Sequence, residues 1–202
     1  MPKERTDLPM AEINKLLEPG YLPIEAGCYR LPNGVMHVRV LVRMPRCKGK
    51  MVDWWFGYLK DTETYKMWHP AHRFLQWDDK WSPGHYIGAT HTIEEQMGPE
   101  LSKVRIKFFD PAEVFDTSRF KAAKFTAVCG DAIDDKGIPH GHLILTVRDT
   151  DYGCEMRNHL WLLNNPVEAI GLGLMTHNLE EMGNLADFLP DLYARETSGR
   201  RA

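Results

Sequence analysis

Alternating hydrophobic and polar positions predict a series of β-strands along most of the chain. Val35–Arg43 (VMHVRVLVR) and His85–Met97 (HYIGATHTIEEQM) are two such runs. Further strands are predicted in the segments SKVRIKFFD, AKFTAVCGDAI, HGHLILTVRDT and GCEMRNHLWLL. The turn signals DDKG and DTDYG separate the last three, which is typical of an antiparallel meander.

Helical periodicity appears in the segments MVDWWFGYLK and TETYKMWH and in the C-terminal region. The first two predict short helices, split near Asp61-Thr62. The C-terminal helix is predicted to open at NNPVE, with Asn165 as N-cap and Pro166 at the first helical position. It is predicted to run to about Leu189, where Pro190 stops it.

This order of elements predicts an α+β fold, with a curved antiparallel sheet wrapped around a long C-terminal helix. Such a fold encloses a cavity between sheet and helix, whereas a plain sandwich would fill that space with core side chains. Residues 1–34 are expected to be an irregular lead-in packed on the domain. Residues 35–193 are expected to form the single domain, and residues 194–202 a disordered tail.

Composition narrows the classes of partner and location. The 202 residues carry a net charge of −3, so no basic field for nucleic acid or an anionic membrane is expected. The first ten residues lack the apolar core of a signal peptide, and no apolar run is long enough to cross a membrane. The four cysteines form no CxxC pair. We therefore predict a cytoplasmic protein with reduced cysteines and no nucleic-acid or membrane partner.

The C-terminal helix places an ionisable pair beside its apolar face. At 100° per residue, Glu181 falls inside the apolar arc and His177 lies one turn earlier at its edge. A His and a Glu at positions i and i+4 can converge on one metal ion. The alternative is a solvated or mutually hydrogen-bonded pair.

Other segments offer further ligands of the same kind. On the strand His85–Met97, Glu95 points with His91 and the apolar set, unless the strand is a partly solvated edge. His69 and His72 flank Pro70, and His142 and His159 are further candidates for the inner face. A set of two His and two Glu with no sulfur suits Zn²⁺ ahead of Fe²⁺, Mn²⁺ or Co²⁺.

Four ordered motifs carry a resemblance to a known family. DWWFGYLKDTETYKMWHPAH, YIGATHTIEEQMG, VRDTDYGCEMRNHLWL and HNLEEMGNLADFLPDLY resemble the 2,4-diacetylphloroglucinol hydrolase family, which includes phloretin hydrolases. The resemblance covers roughly residues 49–193. It implies a Bet v 1-like helix-grip fold and a zinc-dependent hydrolase that cleaves the carbon–carbon bond between an acyl group and a phenolic ring.

The resemblance also implies residue roles. The zinc ligands, for one ion per chain, would be His69, Glu95, His177 and Glu181. His72 could replace His69, and Glu94 or Glu100 could replace Glu95. Independently of the resemblance, our candidates for proton transfer are His72, His142 and His159, and the residues that could line an aromatic substrate site are Tyr58, Tyr65, Trp68 and His91.

Zinc would polarise the carbonyl of a small acylated phenol and activate water. A homodimer is possible, because small enzymes are often two-fold symmetric. Two other functions fit the same residues. One is a helix-grip protein that binds a hydrophobic or aromatic ligand without chemistry, and the other is a metal-dependent lyase or cyclase acting on an aromatic polyketide.

Overall fold

The computed structural model describes residues 8–97 and 100–198 and shows one eight-stranded antiparallel sheet. The strands are β1 Gly27–Arg30, β2 Met36–Pro45, β3 His72–Trp77, β4 Thr90–Met97, β5 Glu100–Phe109, β6 Phe125–Ile133, β7 Pro139–Asp149 and β8 Gly153–Leu162. Their order across the sheet is β1-β2-β8-β7-β6-β5-β4-β3. From β3 to β8, strands that are neighbours in the sequence are also neighbours in the sheet, as the predicted meander requires.

In the described ranges, four α-helices accompany the sheet: α1 Gly49–Tyr58, α2 Thr62–Trp68, α3 Phe120–Ala123 and α4 Glu168–Ser198. Short 3-10 helices span Met10–Leu17, Pro111–Glu113 and Thr117–Arg119. The Asp61 side chain caps α2 by accepting a hydrogen bond from the Thr64 N–H at 2.8 Å. The predicted division between α1 and α2 is therefore confirmed. No helix in the described ranges has the length and apolar character needed to cross a membrane.

Helix α4 packs against one face of the sheet, which we call the inner face. Its buried residues Met182 and Leu185 share a core with Leu145 of β7 and with the aromatic side chains of α1 and α2. Near the start of the helix, Gly171 lies so close to Met36 that a Cβ there would clash with the sulfur. The helix lies across the sheet, and the prediction of a curved sheet around a C-terminal helix is confirmed.

The opposite, outer face is covered by the N-terminal segment, residues 8–26. Trp161 Nε1 donates to the Leu8 carbonyl at 3.0 Å, Arg157 Nη2 to the Gly20 carbonyl at 2.9 Å, and Arg39 Nη1 to the Ile24 carbonyl at 3.0 Å. Strand β8 is consequently buried on both faces. The predicted irregular lead-in thus contains a 3-10 helix and the edge strand β1, while residues 1–7 lie outside the described part of the chain.

Two boundary predictions for α4 are wrong. Asn165 has a left-handed φ of 46° and binds the Arg30 guanidinium through its side chain, so it does not cap the helix, which begins at Glu168. Pro190 lies inside the helix. The Ala186 carbonyl, which cannot bond to Pro190, accepts instead from Cys47 Sγ at 3.8 Å.

Helix α4 also continues beyond its predicted end, and the side chains there are buried. Leu189 and Leu192 are both buried on either side of Pro190, so packing continues through the last turns. Residues 194–198, predicted to belong to a tail, are helical, and residues 199–202 lie outside the described chain. Strands β1 and β3 were not predicted, since four and six residues offer too short a pattern.

Candidate metal centre

A cavity of about 310 Å³ lies between the inner face and α4. Side chains from α1, α2 and strands β4 to β8 line it, together with one stripe of α4: Ile170, Leu174, His177, Asn178, Glu181 and Met182. The lining is mainly aliphatic and aromatic, and Glu95, His177 and Glu181 lie together at one end of the helix stripe. The alternative of a filled sandwich is therefore wrong.

Four buried side chains converge at that end: His72, Glu95, His177 and Glu181. Each offers one ligand atom, and these four atoms lie within 4.8 Å of one another. His72 Nε2 is 3.3 Å from Glu181 Oε1 and 3.7 Å from Glu95 Oε1. His177 Nε2 is 3.7 Å from Glu95 Oε2. We call these four residues the His/Glu set.

The secondary structure explains this convergence. His72 opens β3 directly opposite Glu95 in the register with β4, so both side chains leave the sheet on the inner face. His177 and Glu181 are one helical turn apart on α4, which crosses above them. Two adjacent strands and one helix thus supply all four groups.

The protein fixes the orientation of His72. Its Nδ1 is 2.9 Å from the Tyr65 carbonyl oxygen, an acceptor, so Nδ1 carries the proton. The Tyr65 ring stacks on the imidazole at a centroid distance of 3.7 Å. His72 Nε2 then presents a lone pair to the set, and neither this atom nor His177 Nε2 has a hydrogen-bond partner among the described residues. A backbone-anchored imidazole with a free second nitrogen is characteristic of metal-ligating histidines.

The electrostatics of the set also favour a bound cation. Burial raises the pKa of Glu181 to about 7, and burial together with the neighbouring Glu181 raises the pKa of Glu95. Burial lowers the pKa of His72. The raised pKa values show that the two buried carboxylates are costly to ionise in this site without a nearby positive charge, and a divalent cation would supply that charge. The donor atoms present therefore fit a metal of the Zn²⁺ class.

His69 lies next to the set with its ring nitrogens engaged. Its Nδ1 accepts from the Ala71 N–H at 3.1 Å, and its Nε2 is 3.3 Å from Glu180 Oε2. It forms a second possible group of ligands with His72 and His177. The assignment of His69 as a ligand stays a prediction.

The alternative carboxylates are placed differently from Glu95. Glu94 points to the outer face and lies 3.9 Å from Lys103 Nζ. The side chain of Glu100 lies outside those that the structure describes.

Three of the predicted substrate residues line the cavity. The Tyr65 hydroxyl donates a hydrogen bond to the Glu95 carboxylate, and burial raises its pKa well above the usual value. Trp68 Nε1 donates to the Glu181 carbonyl at 3.0 Å. His91 lies between Trp77 and Phe108, with ring centroids 4.9 Å away on each side.

His91 is the most unusual polar residue in the cavity wall. Both of its ring nitrogens are buried and lack a hydrogen-bond partner among the described residues. Burial lowers its pKa to about 3, so the imidazole is neutral and offers one donor and one acceptor. Tyr58, by contrast, stacks on Trp54 at 4.5 Å and is not among the residues that line the cavity.

Two of the predicted proton-transfer residues are oriented away from the set. His142 borders the cavity, but it shares the outer face with Asp131, whose carboxylate lies 2.7 Å from its Nδ1. His159 also lies on the outer face, 3.1 Å from His37 Nε2, so the prediction that it points inward is wrong. Because the N-terminal segment buries the outer face of β8, alternation could not tell the two sides apart.

Sequence reasoning missed Asn178. It is buried in the cavity wall, where its side-chain oxygen accepts from Asn158 Nδ2 at 2.7 Å and its amide donates to the Leu174 carbonyl at 2.9 Å. Its position could have identified it, because Asn178 is a polar residue three positions before Glu181 and therefore lies on the same side of the helix.

Comparison with known sequences decides the family. Residues 8–170 match the family described as the DAPG hydrolase PhiG domain. The chain belongs to this DAPG hydrolase family. The predicted family resemblance and the predicted hydrolase class are thereby confirmed.

Named relatives are similar over most of the chain. A 2,4-diacetylphloroglucinol hydrolase from Pseudomonas protegens is 25% identical over 220 residues, covering 90% of this chain and 72% of that protein. A phloretin hydrolase from Eubacterium ramulus is 26% identical over 182 residues, covering 76% of this chain and 65% of that protein.

Solved structures support the fold. Ara h 8.0201 superposes with a TM-score of 0.52 at 10% identity, covering 77% of this chain and 97% of that one. A fragment of a STAR-related lipid transfer protein from Xanthomonas axonopodis gives 0.51 at 10% identity, covering 82% and 99%. The predicted Bet v 1-like helix-grip fold is confirmed.

Proposed function

We propose that this protein is a metal-dependent hydrolase that cleaves the carbon–carbon bond between an acyl group and a phenolic ring. The observation that carries the proposal is the His/Glu set at the end of an apolar cavity, with two imidazole nitrogens unpartnered and facing two carboxylates. Family membership and the names of the relatives support the choice of reaction.

We place the metal on His72, Glu95, His177 and Glu181, with one Zn²⁺ per chain as the favoured ion. His72 is preferred to His69 because its Nε2 is free, whereas both nitrogens of His69 already have neighbours. When bound, such an ion supplies Lewis acidity, which polarises a carbonyl and lowers the pKa of a water molecule.

The reaction balances with water as the only co-substrate. The bond between the ring carbon and the acyl carbon breaks, the acyl carbon gains the water oxygen and leaves as a carboxylic acid, and the ring carbon gains a proton. Tyr65 is the candidate to hold a proton beside the reacting atoms, because its hydroxyl donates to Glu95 within the cavity wall. Burial keeps that hydroxyl neutral.

Ring recognition is assigned to His91. A phenolic hydroxyl can both donate and accept, so it matches the neutral imidazole, whose two nitrogens have no hydrogen-bond partner in the part of the chain that the structure describes. Trp68 and the surrounding aromatic side chains exclude water around the ring. For His142 to take part in proton transfer, its side chain would have to turn away from Asp131, whose carboxylate lies 2.7 Å from its Nδ1.

Two neighbouring glutamates on α4 provide a matched test. Glu181→Gln is expected to remove the stoichiometric metal and to lower kcat/KM at least about a thousandfold, since metal-derived stabilisation is worth several kcal/mol. Glu180→Gln, one position along the same helix, should change kcat/KM by less than about threefold. Elemental mass spectrometry on the untagged protein measures the metal, and chromatography of the released phenol and carboxylic acid measures the reaction.

The outcomes separate the possible functions. If the protein binds the metal but cleaves no acyl phenol, the metal-dependent lyase or cyclase becomes the favoured function. A folded protein that takes up no metal and binds aromatic ligands equally well in both variants would overturn the metal centre in favour of a ligand-binding protein.

A further inference from the structure

The His/Glu set can be approached from two sides. Three of its members belong to the wall of the cavity, whereas His72, among the described residues, does not. His69, which follows α2 and is likewise absent from the described cavity wall, lies next to His72. Its other neighbour is Glu180, whose side chain is 60% exposed. On the side away from the cavity, the imidazole of His69 therefore stands between the set and a solvent-exposed residue.

Three imidazoles converge on this side. His69, His72 and His177 each offer one ring nitrogen, and these three atoms lie within 4.8 Å of one another. The ring centroids of His69 and His177 are 4.5 Å apart, and those of the other two pairs are 5.5 Å apart. Three histidine nitrogens are a ligand set that Zn²⁺ accepts in proteins. We call these three residues the entry site, which shares two members with the His/Glu set.

The entry site is built to bind a metal ion more weakly than the His/Glu set. His69 Nδ1 accepts from a backbone N–H at 3.1 Å and its Nε2 is 3.3 Å from Glu180 Oε2, so either nitrogen must give up a contact before it can bind an ion. The three imidazoles also bring no negative charge, whereas the set adds the carboxylates of Glu95 and Glu181. Affinity for a divalent cation therefore rises from the entry site to the set.

The cavity offers a cation a less favourable route to the same place. Its wall is mainly aliphatic and aromatic, so an ion that passes between these side chains gains no protein ligand in place of the water that it loses. On the other side, the first imidazole lies against an exposed residue and its ring is already in contact with that of His177. Ligand groups are therefore available near the surface only a short distance from the set.

We propose that His69, His72 and His177 form the site through which Zn²⁺ is loaded onto the His/Glu set and released from it. This inference rests on the proposed function for the metal centre and is independent of the reaction. His69 then determines how fast the metal exchanges and not how much is bound at equilibrium. Removal of a His69 that only packs against the set would loosen its surroundings and speed up exchange, so the direction of the change distinguishes the two roles.

Zinc exchange at constant occupancy tests the entry site. Protein loaded with natural zinc is mixed with an excess of isotopically enriched Zn²⁺, separated from free metal at intervals and analysed by elemental mass spectrometry. His69→Leu and His69→Phe should each keep stoichiometric zinc and exchange it at least about tenfold more slowly than the wild type, because the path then lacks one of its three ligands. Two substitutions are used so that misfolding of one does not remove the test. His85→Leu, which removes an exposed imidazole elsewhere, is the control and should exchange like the wild type.

The outcomes separate this inference from the proposed function. Stoichiometric zinc that exchanges as fast as in the wild type, or faster, in the folded His69 variants overturns the entry site and favours passage through the cavity. Loss of stoichiometric zinc in these variants also overturns it, since His69 would then be a ligand of the resting ion. A wild type that takes up no zinc overturns the metal centre together with the entry site. Slower exchange at full occupancy supports the entry site, even if no acyl phenol is cleaved and the proposed hydrolysis fails.

Discussion

The two faces of the sheet both bury histidines, but they use them differently. On the outer face, His159 Nδ1 meets His37 Nε2, and Arg39 Nε donates to His37 Nδ1 at 3.3 Å. On the inner face, the nitrogens of His72 and His177 point at two carboxylates without bonding to them. Within the described chain, the groups that could hold a metal all lie on the inner side and none includes His159.

Burial alone therefore does not identify a functional histidine. Among residues 8–97 and 100–198, His159 Nε2 and Arg157 Nε of the outer face also lack hydrogen-bond partners, but these are single atoms beside otherwise bonded groups. The outer face is an interface between sheet and N-terminal segment, stabilised by hydrogen bonds to backbone carbonyls. The inner face gathers several unpartnered atoms around one empty volume, and this convergence indicates a binding site.

The largest expected effect separates His72 from His69 at the edge of the inner face. His72→Ala should remove the metal and lower kcat/KM at least about a thousandfold. His69→Ala should retain stoichiometric metal and lose less than about tenfold, because its ring contacts Glu180 and a backbone amide. Metal content and steady-state kinetics measure both. The reverse pattern would restore His69 as the ligand.

The second effect concerns the outer face and stability. Glu25 Oε1 accepts from Arg157 Nη2 at 2.8 Å, and the Arg157 side chain is 3% exposed. Glu25→Ala should lower the free energy of unfolding by about 3 kcal/mol, since it leaves a buried guanidinium without its carboxylate. Urea denaturation measures the loss. Glu63→Ala, which removes the exposed pair with Lys66, is the control and should have little effect.

A Glu25→Ala variant with the stability of the wild type but a lower kcat/KM would contradict the assignment of a purely structural role to the outer face. It would mean that the N-terminal segment acts on the cavity through the sheet. Unchanged stability would mean that Arg157 is satisfied by the Gly20 carbonyl alone.

Much of the site was accessible from the sequence, and the reasons are physical. Glu181 and Glu95 stand out because a carboxylate among apolar positions of a helix or strand is costly, and both proved to be buried at 7% and 8% exposure. The spacing of His177 and Glu181 is local, so helical geometry alone brings them together. Strand alternation likewise placed His91 and Glu95 on one face.

Other features depend on contacts that no local pattern contains. Whether His69 or His72 joins the set depends on β3, whose pairing with β4 begins at His72 itself. The orientation of His159 depends on residues 8–26 covering the outer face. The passage of α4 through Pro190 depends on Cys47 meeting the Ala186 carbonyl. In each case the deciding partner is more than twenty residues away in the sequence.

The third prediction contrasts activity with stability at His91. His91→Leu should leave the free energy of unfolding unchanged or higher, because it removes two unpartnered polar atoms from an aromatic environment. It should lower kcat/KM about tenfold to a hundredfold for a fully hydroxylated ring. A substrate lacking one ring hydroxyl is the control. In the wild type its kcat/KM should be lower than that of the fully hydroxylated substrate, whereas in His91→Leu the two substrates should have similar kcat/KM values. Equal losses for both substrates would argue against hydroxyl recognition.

The smallest effect on catalysis is expected at His159, and it tests the comparison most directly. His159→Leu leaves His37 Nε2 without its partner in a buried position, so the free energy of unfolding should fall by about 1 kcal/mol. Metal content and kcat/KM should stay within about twofold of wild type, because the side chain and the cavity are on opposite sides of β8. Thermal denaturation and steady-state kinetics measure the two quantities. A stable, metal-loaded variant with a large loss of kcat would show that an outer-face histidine takes part in the reaction, and the two faces could then no longer be assigned separate roles.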